Sequence, residues 1–277
     1  MSSEVETSRF VPFKVVPRDS STSLGMTIFA ALNVYHDNAP HSAAMNMAID
    51  EALLEYATVP AIRFYRWPSP ALSFGYFGRF ADVASYRRKR DLVRRWTGGG
   101  IVFHGEDLTY SLVVPIDHAA FVESSMSIYE RIHRALVNAL SRIGKGAELS
   151  PVAAVYDRRE QRKGNLQTPV AVGSENRRAL NPAVADRRYN NCFANPVRAD
   201  VIIGGRKIAG AAQRRTRRGL LQQGSIQGID IGNGLADQFA RALSTNCRER
   251  KVDGKILTRA REIAERKYGT DGWLRKR

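Results

Sequence analysis

Cysteine is nearly missing from this chain. Cys192 and Cys247 are the two in 277 residues, too few for a disulfide scaffold or for a zinc site built on several clustered ligands. Long apolar runs are missing as well, since nothing approaches the ~18 residues of a membrane-spanning helix. The opening Met1-Ser2-Ser3-Glu4-Val5-Glu6 lacks the basic-then-apolar pattern of a secretory signal. Together these absences predict a cytoplasmic protein away from the membrane. Acidic residues are scarce: 27 Asp and Glu stand against 43 Lys and Arg, a formal net charge of +16. That excess suits an acidic partner, whether nucleic acid, membrane surface or acidic protein, or serves solubility alone. The basic clusters 87–90 and 214–218 contain no aromatic residue, which argues against a base-stacking surface, and neither zinc-finger nor basic-zipper spacing occurs.

What is present is an ordinary globular pattern, with 43% hydrophobic and 25% charged residues. The first two dozen residues are polar apart from an edge-strand pattern at 13–16. Ser42 is placed to cap a helix carrying Met45, Ile49, Ala52, Leu53 and Tyr56 on one face. Strand patterns follow at 61–66, 71–75, 92–96, 100–103 and 108–115, with a basic helical piece near 81–90. The stretch 125–143 is the clearest amphipathic helix. Residues 157–190 have no period and read as a loop insertion that runs directly towards Cys192. Strands resume at 200–203, 207–213 and 219–226, with Arg214-Arg215-Thr216-Arg217-Arg218 as an exposed hairpin tip, and helices at 236–244 and 254–268 close the chain. Strands enclosed by helices point to an α/β or α+β sheet protein.

Three places carry chemistry. In Arg94-Arg95-Trp96-Thr97-Gly98-Gly99-Gly100, the glycines between two apolar strands let a ligand approach backbone N–H groups. A tight hairpin is the plainer reading, although it needs fewer glycines. Neither a Walker loop nor a dinucleotide fingerprint fits, because the required Lys and third glycine are absent. His104 follows the loop, where a binding role or a structural one suits it better than that of a base. Cys192 is either a small buried hydrophobe or a thiol made acidic by Arg187, Arg188 and Arg198, able to take an acyl group from a thioester. Lys207, in Gly205-Arg206-Lys207-Ile208-Ala209-Gly210-Ala211, is either an exposed strand lysine or an amine laid over a bound carbonyl. Cys247 looks like a surface residue between two helices.

Taken together, four segments resemble the lipoate–protein ligase and octanoyltransferase family: 63–67 running to 72–76, 94–104, 108–111, and 205–213 leading to 221–226. The resemblance implies an α+β fold, a mixed and mostly antiparallel sheet flanked by helices, shared with the catalytic domain of biotin and lipoate protein ligases. It divides the chain into an extension (1–40), a catalytic domain (41–245) and a basic helical tail (246–277). The Cys192-Phe193 pair ahead of the lysine segment resembles the cysteine-using octanoyltransferases. By that resemblance Cys192 carries octanoate as a thioester and Lys207 activates it, with no cofactor. The implied partners are an acidic acyl carrier protein as donor and a lipoyl domain or glycine-cleavage H protein as acceptor, with neither nucleic acid nor membrane involved. Tyr76, Arg94, Arg95, Thr97, Gly98, Gly99, Gly100, His104, Gly210 and Ala211 are the implied substrate-binding residues, and no metal ligand is implied. The Thr97–Gly100 loop, Gln223 and the ending 267–273 are closer to the ligases, for which ATP and Mg would be needed and Cys192 would be incidental.

Overall fold

The structure is a computed structural model that describes residues 27–151, 193, 195–232 and 234–276. The strand expected at 13–16, the insertion 157–190 and Cys192 lie outside these residues. Along the chain run β1 (Leu32–Asp37), α1 (Ala43–Tyr56), β2 (Ala61–Tyr65), β3 (Ala71–Phe74), β4 (Asp91–Arg94), β5 (Ile101–His104), β6 (Leu108–Pro115) and α2 (Ser125–Arg142). There follow β7 (Glu148–Leu149), β8 (Val201–Ile203), β9 (Arg206–Thr216), β10 (Gly219–Ile226), α3 (Leu235–Leu243), β11 (Cys247–Arg250), α4 (Gly254–Ile263) and α5 (Asp271–Leu274). Strands β11-β1-β2-β6-β10-β9-β8-β7 form one sheet and β4-β3-β5 a smaller one. Pairing is parallel for β11–β1, β1–β2 and β3–β4 and antiparallel elsewhere. This is the α+β, mixed and mostly antiparallel architecture expected, divided between two sheets.

The period of two in the central strands decides what faces what. In β6 all eight residues are buried, because helices cover both faces of the sheet. Leu108, Tyr110, Leu112 and Val114 join a core with Ile128, Ile132 and Leu136 of α2 and with Phe239 and Leu243 of α3. Val113, one residue out of phase, joins the opposite core with Ile49 and Leu53 of α1 and with Ala260 and Ile263 of α4. Each fully buried aliphatic side chain contributes roughly 1.5–3 kcal/mol, so two such cores leave room for polar groups on the α1 face. Those groups are Arg63 of β2, Thr109 and Ser111 of β6, and Gln223 and Ser225 of β10. Register sets Gln223 beside Ser111 and Ser225 beside Thr109.

The helix starts are capped as their sequences suggest. Ser42 Oγ accepts from Met45 N at 3.2 Å and Asp253 Oδ1 from Ile256 N at 2.9 Å, each cap contributing about 1 kcal/mol. Three differences from expectation stand out. The piece near 81–90 is two short 3-10 turns, Phe80–Asp82 and Ala84–Tyr86, separated by Val83 in a non-helical conformation. Arg214 and Arg215 belong to β9 and are half-buried, so only Arg217 and Arg218 form the exposed tip. The segment expected as a helical tail opens with β11, which extends the large sheet along β1. Cys247 thus begins a strand, half-buried, with burial pushing its thiol up.

Candidate active site

A cavity opens where the α1 face of the large sheet meets the small sheet and the glycine loop. It holds about 500 Å³ of empty space when counted out into the solvent at its mouth, of which about 50 Å³ admits the centre of a water-sized molecule. Its walls are mainly apolar, with Met47, Tyr65, Trp67, Val102 and Phe193 among them. Lys207 brings the amine. It is 8% exposed, and its Nζ lies 2.8 Å from Oδ2 of the fully buried Asp200 and 5.4 Å from the centre of the Phe193 ring. Asp200 is itself held, accepting from Tyr129 OH at 2.6 Å and from Val197 N at 2.7 Å. The charge partner of Lys207 is therefore a buried carboxylate, and the lysine is not the exposed strand residue that the plainer reading of the sequence allowed. Gly210 completes this wall: a Cβ there would stand 2.6 Å from Lys207 Nζ, so the lysine can cross the strand only above a glycine.

Beneath the glycine loop lies a buried polar network. Arg63, with no exposed surface, pairs with Asp50 at 2.8 Å and with Asp37 at 2.8 Å, and donates to Asn46 Oδ1 at 2.7 Å. Asp50 also accepts from Ser111 Oγ and Gln223 Nε2, both at 2.7 Å. Removing the guanidinium would leave two buried carboxylates without their counter-charge, a loss of about 3–5 kcal/mol. Gln223 carries this order to the loop, since its Oε1 accepts from Thr97 Oγ1 at 2.8 Å. The loop also needs Gly75, where a Cβ would overlap the carbonyl oxygen of Gly99. Arg95 ties down the other side, donating to the Gly98 and Gly100 carbonyls at 3.0 and 2.8 Å.

His104 is buried, stacked on Trp67 at 4.1 Å between ring centres, and engaged at both nitrogens. Nδ1 is 2.8 Å from Asp107 Oδ2 and Nε2 is 2.6 Å from Ser73 Oγ. Burial holds its pKa below that of free imidazole, over the opposing pull of Asp107. Burial alone would raise the Asp107 carboxyl, yet hydrogen bonds from His104, Gly105 N and Ser225 keep it below its ordinary value.

Of the residues singled out in the sequence, Arg95, Gly99, His104, Lys207, Gly210 and Ala211 line the cavity. Thr97, Gly98 and Gly100 shape the loop from behind. Arg94 lies elsewhere: its guanidinium is caged by the carbonyls of Tyr76 and Gly78 and those of Trp273, Leu274 and Lys276 near the C-terminus. Tyr76 stacks under Arg214 and Lys276 on the outer side of the loop. Asp50, Ser73, Asp107 and Asp200 went unnoticed in the sequence. Asp50 gave a signal, an acidic residue inside the apolar face of a helix, while the antiparallel turn from β8 to β9 is what brings Asp200 back to Lys207.

Comparison with known proteins follows the same lines. The family described as lipoyl protein ligase A/B catalytic domain matches residues 42–263. Octanoyltransferase LipM of Oceanobacillus iheyensis is 33% identical over 69% of this chain and 62% of its own length. The Brevibacillus brevis LipM is 31% identical over 76% of this chain and 71% of its own. The chain thus spans 62% and 71% of the length of these two relatives. Among solved structures, a Thermoplasma acidophilum lipoate protein ligase with bound lipoic acid superposes with a TM-score of 0.63 at 21% identity, covering 88% of this chain and 98% of that one.

Proposed function

Because the chain belongs to the lipoyl protein ligase A/B catalytic domain family, we propose that it is an acyltransferase, moving an octanoyl or lipoyl group onto one lysine of a lipoyl domain or glycine-cleavage H protein. The observation that carries this reading is the Lys207–Asp200 pair set into an apolar cavity, an amine fixed where an acyl carbonyl would sit. Its support from relatives is the octanoyltransferase name of the LipM proteins. Cys192, bonded to the cavity residue Phe193, is the proposed acyl carrier. Its thiolate attacks the thioester of octanoyl–acyl carrier protein, the carrier thiol leaves, and a Cys192 thioester forms at little energetic cost because sulfur replaces sulfur. The acceptor lysine then attacks that carbonyl and the Cys192 thiol is released. Lys207 favours both steps by setting positive charge beside the thiolate and the developing oxyanion. The reducing cytoplasm is the compartment that keeps Cys192 a free thiol.

A ligase reading has one observation in its favour. A lipoate-protein ligase A bound with ATP has the same fold, with a TM-score of 0.63 over 98% of its length. In that reading ATP and Mg supply an acyl-adenylate and Cys192 has no role. Incubating the protein with octanoyl–acyl carrier protein and a lipoyl domain separates the two. Octanoylation of the lipoyl domain without ATP, abolished by Cys192→Ser, is the expected result. Modification only when free octanoate and ATP are supplied, unchanged in Cys192→Ser, would overturn the transferase.

A further inference from the structure

The hydrogen-bond chain Arg95–Ser73–His104–Asp107 has its donors and acceptors fixed by chemistry. Arginine can only donate, so its Nη1, 2.7 Å from Ser73 Oγ, makes that oxygen an acceptor. The hydroxyl proton of Ser73 then points to His104 Nε2 at 2.6 Å. Nε2 is thereby the bare nitrogen of a neutral ring, and Nδ1–H donates to Asp107 at 2.8 Å. Nucleophile, base and orienting carboxylate stand in the order and tautomer that activate serine in hydrolases on unrelated folds. Other hydroxyls on or beside the cavity differ. Tyr65 donates to Asp50, and Thr109 and Ser225 both donate to Asp107. Among the described hydroxyls lining the cavity, that of Ser73 is the one directed at a nitrogen lone pair.

We propose that Ser73 is a second acyl-accepting nucleophile of the cavity, activated by His104 and Asp107 and taking the acyl group of aliphatic esters or thioesters. The inference rests on the cavity admitting an acyl donor, and it is independent of Cys192. Ser73 Oγ bonds to the carbonyl carbon as its proton passes to His104 Nε2. The bond from that carbon to the leaving group breaks, and the leaving group departs with the proton, leaving a Ser73 oxyester. Water resolves the ester by the same path: its proton goes to Nε2, the carbon–Oγ bond breaks, Ser73 regains the proton, and a free fatty acid is released. Lys207 places a cation in the same cavity, the kind of charge that stabilises the oxyanion of either step.

The test uses Cys192→Ala protein treated with p-nitrophenyl octanoate or, separately, with an alkyl fluorophosphonate, followed by peptide mapping. The expected octanoyl group resists neutral hydroxylamine, yields to alkaline hydroxylamine and maps to Ser73, where the fluorophosphonate also attaches. His104→Gln and Asp107→Asn in the same background should each slow that labelling by about 100-fold, the smaller end of what general-base assistance supplies. A merely structural Ser73 would show no such dependence. Absence of any Ser73 adduct with both reagents, or labelling indifferent to His104 and Asp107, overturns the proposal. A hydroxylamine-labile adduct in wild-type protein reports on Cys192 separately, so either reading can fail alone.

Discussion

Two glycines and a lysine carry different kinds of demand. At Gly210 an added methyl would meet the far end of Lys207, 2.5 Å from Cε, and a flexible side chain can swing aside. Gly210→Ala should therefore leave the unfolding midpoint almost unchanged, within about 1 kcal/mol. It should lower acyl transfer by about 100-fold, because the amine, still paired with Asp200, is shifted from its place in the cavity. At Gly75 the obstacle is the backbone of Gly98 and Gly99, which cannot step aside without dismantling the loop. Gly75→Ala should cost about 3 kcal/mol or more in denaturant unfolding. Equal behaviour of the two variants would refute this division between a site glycine and a scaffold glycine. The family resemblance implied Gly210 as a substrate-binding residue. Its actual service, making room for the neighbouring lysine, depends on a side chain crossing the strand, which no spacing rule encodes.

Helix α2 contributes a titrating group to the core. His133 is fully buried, with Nδ1 donating to the Ala199 carbonyl at 2.6 Å and Nε2 accepting from Tyr110 OH at 3.0 Å. Burial pushes its pKa down to about 4 from an ordinary 6.5. Between those values the unfolded chain binds a proton that the folded chain refuses, so stability is full above about pH 6.5 and falls as pH drops towards 4. The loss should approach roughly 3 kcal/mol by urea unfolding, and His133→Gln should flatten that slope; an unchanged slope would mean that other groups set it. Arg94 does comparable work for the C-terminal elements, and Arg94→Lys, which cannot reach five carbonyls at once, should expose the segment around α5 to proteolysis. Element by element, the sequence announced β6, β10, α1 and α2 almost to the residue, because burial on known faces dictates their periods. It was silent on β1, β7 and β11. The last reads Cys-Arg-Glu-Arg, an exposed edge whose strand character comes from pairing with β1 rather than from its own composition.

At the scale of the whole molecule, charge and shape act together. The excess of +16 was legible at once, but its disposition was not. Arg214 is drawn inwards over the Tyr76 and Trp96 rings, and Arg215 donates to the Phe121 and Glu123 carbonyls, so these arginines brace the sheet rather than offer a free docking face. None of the described helices is long and apolar enough to cross a membrane. If an acidic carrier protein is the donor, the remaining positive field should steer its approach. The second-order rate of acyl transfer should then fall as the Debye length shrinks from ~30 Å to ~8 Å between about 0.01 and 0.15 M salt, with little change in the maximal rate. A rate indifferent to salt would remove electrostatic steering from the account.

Intact-protein mass spectrometry after mixing with octanoyl–acyl carrier protein, in the absence of ATP, tests the central claim most directly. The account predicts one octanoyl group on Cys192, released by neutral hydroxylamine and greatly diminished in Lys207→Met. A protein that stays unmodified under these conditions, yet acylates a lipoyl domain once ATP and free octanoate are added, would contradict it.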